Sequence, residues 1–431
     1  MSDPLKIGVA GLGTVGAGTV KLLRDQAELL RQRSGRDITV TAVSARDAGK
    51  DRGFSKDGLT WYDDAIAMAD DDNVDVVVEL IGGSEGVAKD LVEKALANGK
   101  HVVTANKALI AHHGAALAKA AEGAGVALAY EAAVAGGIPI VKALREGLAA
   151  NSISRVYGIL NGTCNYILSN MRETGKPFDM VLSEAQELGY AEADPAFDVD
   201  GVDAAHKLAI LASLAFGTEV NFEAIHCEGI RHVSPLDFEF AEELGYRIKL
   251  LGIARKTGHG VEQRVHPCMV PLEDPIAHIE DVFNAVVVDG HAVETTMYEG
   301  RGAGEGPTSS AVVADIVDIA RGLNLPVFGV PADSLIRAEI PPMARHSGQY
   351  YVRFTVIDRP GVFAEIASAL KENNVSMEAI IQRGRAPGEA VEVVLTTHET
   401  EEKAMLATIE AIGKSEAILE PTRMIRIVSF S

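Results

Sequence analysis

A glycine-rich loop joins an apolar run to a helix-like segment near residue 11. Residues 6–10 are apolar apart from Lys6 and lead straight into Gly-Leu-Gly-Thr-Val-Gly at residues 11–16. A Gly-x-Gly-x-x-Gly loop between a strand and a helix is typical of dinucleotide binding. The first glycine permits a tight turn, the second lets the backbone approach a pyrophosphate, and the third allows close helix–strand packing. Free N–H groups at the start of the helix would meet the phosphates. The cofactor-binding residues predicted here are Gly11, Gly13, Thr14, Val15 and Gly16.

Strands and helices alternate after this loop. Apolar strand-like runs lie at 38–43, 74–78, 100–104 and 126–129, with Ala-rich helical stretches around 86–98 and 114–124. Strands that are apolar along their whole length and alternate with helices indicate a parallel sheet covered on both faces. The sequence therefore predicts an α/β fold, with a Rossmann-type, doubly wound nucleotide-binding domain over residues 1–132.

The remaining chain divides into two further units. An α+β domain with a sheet of its own is predicted over 133–303, and the helix-like segment within 304–345 is expected to pack back on the nucleotide domain. A linker containing Pro331, Pro341 and Pro342 precedes residues 346–431. The order β-α-β-β-α-β in this last unit is ferredoxin-like. We expect the unit to be modular, so that a chain ending near residue 345 would fold and keep its activity.

Composition excludes several classes of protein. The 431 residues suffice for two to four domains, and 3 cysteines cannot staple a chain of that length. The net charge of −21 opposes nucleic-acid binding, which needs a basic face. No apolar run approaches the ~20 residues that span a bilayer, and the N-terminal residues lack a signal-peptide pattern. A cytoplasmic protein with neither nucleic-acid nor membrane partners is expected.

The end of the second strand bears on the choice of cofactor. NAD-binding loops place Asp or Glu there for the ribose 2′-hydroxyl, whereas this sequence has Arg46. An arginine suits a 2′-phosphate, so NADP is favoured and NAD stays open. The adjacent Asp47 weakens the argument, and an exposed loop cation without a ligand is the alternative.

An acidic segment at 185–207 feeds a helix that is apolar nearly all round. Asp203 and Lys207 are four residues apart and share a face of this helix. Because an all-apolar helix is buried, charges at its mouth are expected to line a cavity. A surface ion pair is the alternative. A calcium loop is excluded, because the twelfth position would be Ala205 instead of Glu.

Two other reactive side chains occur in the sequence. Lys107 follows a strand of the nucleotide domain, at the sheet edge where ligands bind, and it could stabilise a developing alkoxide. Cys164 could be the nucleophile of a thiol-dependent aldehyde dehydrogenase. A small, partly buried residue is the favoured interpretation of Cys164.

Residues 185–207 closely resemble the signature of homoserine dehydrogenases. The matching positions are Ala185, Gly189, Tyr190, Ala191, Asp194, Pro195, Asp198, Val199, Gly201, Asp203 and Lys207. Further motifs similar to that family lie at 104–107, 130–134, 161–166 and 302–304. The resemblance covers residues 5–345. It implies reversible, NAD(P)H-dependent reduction of L-aspartate 4-semialdehyde to L-homoserine, in threonine, methionine and isoleucine biosynthesis.

The resemblance also implies roles for particular residues. Lys207 would be the catalytic acid/base with Lys107 assisting, and Glu192 and Asp203 would hold the substrate. Additional cofactor contacts are implied for Thr104, Lys107, Gly189 and Gly304, beside Arg46. The family binds a monovalent cation, usually sodium, largely through backbone carbonyls. By position these belong to Glu131, Val134, Gly136 and Ile138. The domain at 133–303 would bind substrate and dimerise, giving a homodimer or homotetramer.

The last unit resembles an ACT domain, a sensor module of amino-acid metabolism. Asp358, Gly361 and Val362 lie at its first strand–helix turn, where such domains hold effectors. An amino-acid effector, threonine first, is expected there, and support of dimerisation alone is the alternative. Two other functions stay open at this stage: a different semialdehyde dehydrogenase of the Rossmann class, and a non-catalytic nucleotide and amino-acid sensor.

Overall fold

The computed structural model describes residues 3–384 and 386–430. Its strands are β1 Leu5–Ala10, β2 Ile38–Ser44, β3 Thr60–Tyr62, β4 Val76–Glu79, β5 His101–Thr104, β6 Leu128–Ala129, β7 Ile153–Ile159, β8 His226–Cys227, β9 Tyr246–Thr257, β10 Gly260–Pro271, β11 Phe283–Gly290, β12 Glu294–Arg301, β13 Ser347–Ile357, β14 Met377–Gln382, β15 Ala390–Thr397, β16 Thr400–Glu401 and β17 Arg423–Ile427. Its helices are α1 Thr14–Asp25, α2 Ala27–Ser34, α3 Val87–Ala97, α4 Lys107–Ala124, α5 Ile140–Lys142, α6 Gly162–Thr174, α7 Phe178–Glu187, α8 Ala196–Val199, α9 Val202–Phe216, α10 Pro235–Glu243, α11 Glu305–Ala320, α12 Val362–Glu372 and α13 Glu402–Ile412.

The first sheet has the strand order β3-β2-β1-β4-β5-β6, with every pair parallel. This is the Rossmann order, and it confirms the predicted fold class. The order reverses between β1 and β4, so the crevice at the carboxyl ends of these strands lies beside the glycine-rich loop. Helix α11 returns to pack on α1, where the Ser309 hydroxyl donates to the carbonyl of Val15 at 3.1 Å.

The second sheet runs through both remaining units. Its main path is β12-β11-β7-β9-β10-β17-β13-β15-β14. The expectation of a separate sheet for the middle domain is wrong, because β10 and β17 pair in parallel at Cys268–Arg426 and Met269–Ile427. An edge strand exposes unpaired N–H and C=O groups, and here the last strand of the chain covers that edge. The ferredoxin-like order of β13, α12, β14, β15, α13 and β17 is confirmed.

Helix α9 lies at the centre of the middle domain. Nearly all of its residues are buried, and it packs against β7, β9, β10 and α4. Its sequence is apolar on every side because every side has a neighbour. The helix therefore holds Asp203 and Lys207, at its N-terminal end, in a fixed position.

Several elements were not predicted from the sequence, among them α6, α10 and β12, and some boundaries differ from the expected ones. Helix α6 escaped because polar residues begin it, and β12 because half of its residues are exposed and polar. Helix α4 begins at Lys107 instead of 114. The last strand, predicted from the apolar pattern over 417–428, is confined to Arg423–Ile427 because Pro421 precedes it. Among the described residues, no helix combines the length and apolarity that a membrane span requires.

Candidate active site

Asp203 bridges two lysines at the N-terminal end of α9. One carboxylate oxygen lies 2.9 Å from Lys107 Nζ and the other 2.7 Å from Lys207 Nζ. Lys207 Nζ also donates to the carbonyl of Leu160 at 2.7 Å. Asp203 is 3% exposed, so its charge is held by these partners instead of by water. The predicted residues of α4 and α9 thus meet in one cluster.

Asn161 completes this cluster, and sequence reasoning gave it no role. Its Nδ2 donates to Asp198 and to Asp203, at 2.8 Å each, while its Oδ1 accepts from the N–H of Cys164 at 2.7 Å. Asn161 is the N-cap of α6, so the start of that helix sets the angle of the acidic side chains. The signal available in the sequence was an N-cap residue directly after a predicted strand.

Burial and ion pairing set the protonation states. Burial raises the pKa of Asp203, but attraction to Lys207 and Lys107 outweighs it and brings the pKa well below its usual range. Burial lowers the pKa of Lys207, and Lys107 adds to this despite the pull of Asp203. Burial also disfavours charge on Lys107, yet Asp203 raises its pKa overall. Of the two lysines, Lys207 is therefore the one in which the charged form is less favoured.

One cavity of about 620 Å³ joins this cluster to the nucleotide loop. Its lining includes Val15 at the start of α1, Gly189 and Glu192 in the acidic segment, and Gly304 before α11. Lys107, Asp203 and Lys207 form part of the same wall. This size accommodates a small substrate beside the reactive end of a larger cofactor.

Two glycines of the nucleotide loop, Gly11 and Gly16, lie too close to backbone carbonyl oxygens to carry a side chain. A Cβ at Gly16 would lie 1.8 Å from the carbonyl oxygen of Gly11. Gly11 has φ +93°, and a Cβ there would lie 2.4 Å from the Leu80 carbonyl oxygen. Gly13 is the N-cap of α1, and nothing lies within 4 Å of its Cβ position. The space in front of the helix N-terminus is therefore open to a phosphate.

Arg46 and Thr104 occupy different environments. Arg46 is exposed just after β2, and its side chain makes no hydrogen bond to the described residues. The neighbouring Arg52 is instead held by the carbonyls of Leu12 and Asp47. Thr104 is buried and donates to Glu79 at 2.6 Å, so it holds the loops after β4 and β5 and does not line the cavity.

Cys164 lies behind the acidic cluster. It is fully buried, its Sγ contacts the carbonyl of Asp198 at 3.2 Å, and burial with nearby carboxylates raises the pKa of the thiol well above its ordinary value. A thiol in this state is a poor nucleophile. The geometry gives no support to a thiol-dependent dehydrogenase.

The segment 131–138 folds into a tight turn beside the active-site cavity. The Glu131 carboxylate accepts from the N–H groups of Val141 and Lys142, and its main-chain oxygen accepts from the N–H of Val134 at 3.4 Å. Ala135 has φ +47°, and a Cβ at Gly136 would lie 2.9 Å from Thr308 Oγ1. Within the described residues, no hydrogen bond reaches the carbonyl oxygens of Val134 and Gly136.

The predicted effector residues lie together at the start of α12. The Asp358 carboxylate accepts from the N–H of Ala386 at 2.8 Å and so fixes the neighbouring loop. Gly361 is the N-cap of α12 with φ +99°, and its Cβ position is open. Val362 is buried in the core of the unit.

Comparison with known proteins agrees with this arrangement. Residues 139–317 match the homoserine dehydrogenase family, residues 11–131 match its NAD-binding domain, and residues 350–414 match the ACT domain. The chain is 48% identical to homoserine dehydrogenase of Neisseria gonorrhoeae over 99% of both chains. It is 46% identical to that of Pseudomonas aeruginosa over 98% of this chain and 99% of the relative. A homoserine dehydrogenase structure from Thiobacillus denitrificans superposes with a TM-score of 0.94 at 47% identity, covering 100% and 99% of the two chains.

These similarities extend along nearly the whole length of the chain and include each of its three units. The chain belongs to the homoserine dehydrogenase family, oxidoreductases that act on a CH–OH group, and carries an ACT domain in its C-terminal part.

Proposed function

We propose that Lys207 is the acid/base of this reaction. During reduction of L-aspartate 4-semialdehyde, negative charge develops on the carbonyl oxygen, and the Lys207 ammonium donates a proton to it. When homoserine is oxidised, neutral Lys207 removes the hydroxyl proton. Bound NAD(P)H supplies, and NAD(P)⁺ accepts, the hydride. The observation that carries the proposal is Asp203 holding Lys107 and Lys207 at the cavity wall.

The substrate contacts follow from the charges that remain. Glu192 lines the cavity, and its carboxylate accepts no hydrogen bond from the described residues, so it can meet the substrate ammonium. Asp203 already accepts from Lys107, Lys207 and Asn161. Its share in substrate binding is therefore smaller than the sequence implied, and its larger effect is to position the lysines.

The test is turnover by the purified chain. We expect reduction of NADP⁺ with L-homoserine, slower reduction of NAD⁺, and none with L-serine, whose hydroxyl lies one carbon closer to the ammonium. Absence of homoserine turnover with both cofactors would contradict the proposed function.

NADP is the proposed cofactor, with Arg46 opposite the 2′-phosphate. The exposed, unengaged Arg46 guanidinium two residues after β2 supports this, and the adjacent Asp47 carboxylate accepts from the N–H of Gly49. Gly189 and Gly304, with φ of +76° and +126°, would let the backbone approach the cofactor–substrate junction.

A monovalent cation, sodium, is proposed at the 131–138 turn. The residues fit, because the carbonyl oxygens of Val134 and Gly136 accept no hydrogen bond from the described residues, while those of Glu131 and Ile138 accept one N–H each and keep a second lone pair. A set of main-chain oxygens suits a hard cation and carries no competing charge. When bound, the ion would stabilise this turn against the loop at 301–308.

Regulation and assembly complete the proposal. The ACT unit would sense an amino acid, threonine first, with its carboxylate at the open N-terminus of α12 near Gly361.

The proposed assembly is a homodimer or homotetramer through the 133–303 domain, in the cytoplasm, within threonine, methionine and isoleucine biosynthesis. The proposed domain limits remain 1–132, 133–303 and 346–431.

A further inference from the structure

A second cavity, of about 260 Å³, lies where the linker to the ACT unit crosses β10. It shares no lining residue with the active-site cavity. Its wall is formed by residues 224–226 around the start of β8, by 262–264 of β10, and by residues between 340 and 346 of the linker. One side therefore belongs to the catalytic sheet and the other to the linker.

Arg264 presents unused donors in this cavity. The residue is 5% exposed, and its Nη1 donates to Glu262 at 2.7 Å. Its buried Nε has no partner, and no hydrogen bond from Nη2 to the described residues is found. The Nε–Nη2 edge of a guanidinium matches the two oxygens of a carboxylate. Glu262 therefore engages Nη1 only and leaves this edge of the buried guanidinium without an acceptor.

Two arginines share a single carboxylate beside this edge. Glu262 also accepts from Arg255 at 2.8 Å, outside the cavity lining, so its charge is shared between two arginines. The Nδ1 of His346 is buried without a hydrogen-bond partner, 3.6 Å from Glu262. At the far rim, His226 is paired with Glu228. Burial and the crowding of cations lower the pKa of Arg264 to about 10.

We propose that this cavity binds a small aliphatic carboxylate, gripped by the Nε–Nη2 edge of Arg264. The hydrocarbon part of the ligand would lie against Ile225, Ile340 and Pro341. The volume is below that of drug-sized sites, which limits the ligand to the scale of a small amino acid or short-chain acid.

The position of the cavity gives such a ligand access to the ACT unit. The carbonyl of His346 accepts from the N–H of Glu402, the first residue of α13, at 2.7 Å. A carboxylate between Arg264 and the linker would therefore connect β10 to the start of that helix. This site is separate from the effector position proposed near Gly361 and does not depend on catalysis.

The test is calorimetric titration of the full-length chain with butyrate and with L-threonine, together with crystals soaked in each. Butylamine, which lacks the carboxylate, is the matched control ligand. We expect a carboxylate within hydrogen-bond distance of Arg264 Nε and Nη2, and no binding of butylamine. Arg264→Gln should weaken butyrate binding about tenfold or more, because it removes a charge-assisted, two-donor contact. Lys119→Gln, at an exposed position of α4 away from the cavity, should leave it nearly unchanged.

A second variant covers the case in which Arg264→Gln does not fold. Ala224→Leu fills the cavity and retains every charge, and we expect it to abolish butyrate binding without altering basal turnover. The inference is overturned if both ligands leave the cavity with water alone, or if butyrate binds equally well to Ala224→Leu. Since binding is measured directly, either result is distinguishable from a failure of homoserine turnover.

Discussion

At the scale of single residues, Lys207 and Lys107 have the same side chain and opposite tasks. Lys207 is buried behind Asp203 and close to Lys107, which lowers its pKa, while Lys107 has its pKa raised by the same carboxylate. The distances from the two lysine Nζ atoms to the Asp203 carboxylate differ by only 0.2 Å. The opposite pKa shifts of the two lysines therefore come from burial more than from these distances.

Replacing Lys207 tests this assignment. Lys207→Ala should lower kcat by about 10²–10⁴-fold with little change in KM for homoserine, because its proton matters mainly in the transition state. Steady-state kinetics provide the measurement. Lys119→Ala, at an exposed position of α4, is the control and should behave as wild type. A large rise in KM at unchanged kcat would assign Lys207 to binding instead.

The pH profile tests the coupling of the lysines. Homoserine oxidation needs neutral Lys207, so kcat should rise with pH through an apparent pKa below the ordinary lysine value of 10.5. In Lys107→Ala the neighbouring positive charge is lost, so this rise should shift to higher pH. A profile that shifts to lower pH, or equally in Lys119→Ala, would contradict the coupling.

Arg46 is tested by cofactor discrimination. Arg46→Ala should raise KM for NADPH and leave KM for NADH nearly unchanged, because only NADPH carries the 2′-phosphate. Lys50→Ala, an exposed cation of the same loop, is the control. Equal losses with both cofactors would place Arg46 in another role.

At the level of secondary-structure elements, the turn from β1 into α1 contains one glycine that packing requires, Gly16, and one that we expect cofactor binding to require, Gly13. Gly16→Ala places a Cβ 1.8 Å from a carbonyl oxygen and should lower the melting temperature. Gly13→Ala meets open space, so it should fold normally and raise KM for the cofactor, where the pyrophosphate approaches. Gly123→Ala, an open position within α4, controls for the substitution itself. Thermal melts should show the loss of stability in Gly16→Ala, and kinetics should show the raised cofactor KM in Gly13→Ala. A Gly16→Ala variant as stable as the wild type would contradict the packing explanation.

At the scale of the whole molecule, the ACT unit is part of the catalytic fold. Arg353 of β13 donates to Asp237, which is 1% exposed and caps α10, and Arg426 of β17 binds both Glu228 and Glu402. The pairing of β10 with β17 in one sheet argues against the expectation that the ACT unit is modular. Removal of residues 346–431 would leave β10 as an open edge and Asp237 without its cation.

A chain ending at residue 345 should therefore be insoluble, or melt well below the full-length protein. Loss of one partner from a buried ion pair costs about 3–5 kcal/mol. Solubility and thermal melts provide the measurement. In the full chain, Arg353→Gln should lower the melting temperature, because it leaves the buried Asp237 carboxylate without its cation. The exposed substitution Arg359→Gln should leave the melting temperature unchanged. A soluble, active chain of 345 residues would restore the modular interpretation.

Spacing along the chain was enough to predict the local features: the glycine-rich turn, the apolar strands, the buried helix α9 and the acidic segment that precedes it. Each depends on spacing between near neighbours, where backbone geometry leaves little choice. Lys107 and Asp203 are 96 positions apart, and only the packing of α4 on α9 placed their charges 2.9 Å from each other. The role of Asn161, the burial of Cys164 and the pairing of β10 with β17 were likewise decided by tertiary structure. Desolvation and strand-edge pairing depend on what surrounds a residue in space, and the order of residues along the chain does not specify those neighbours.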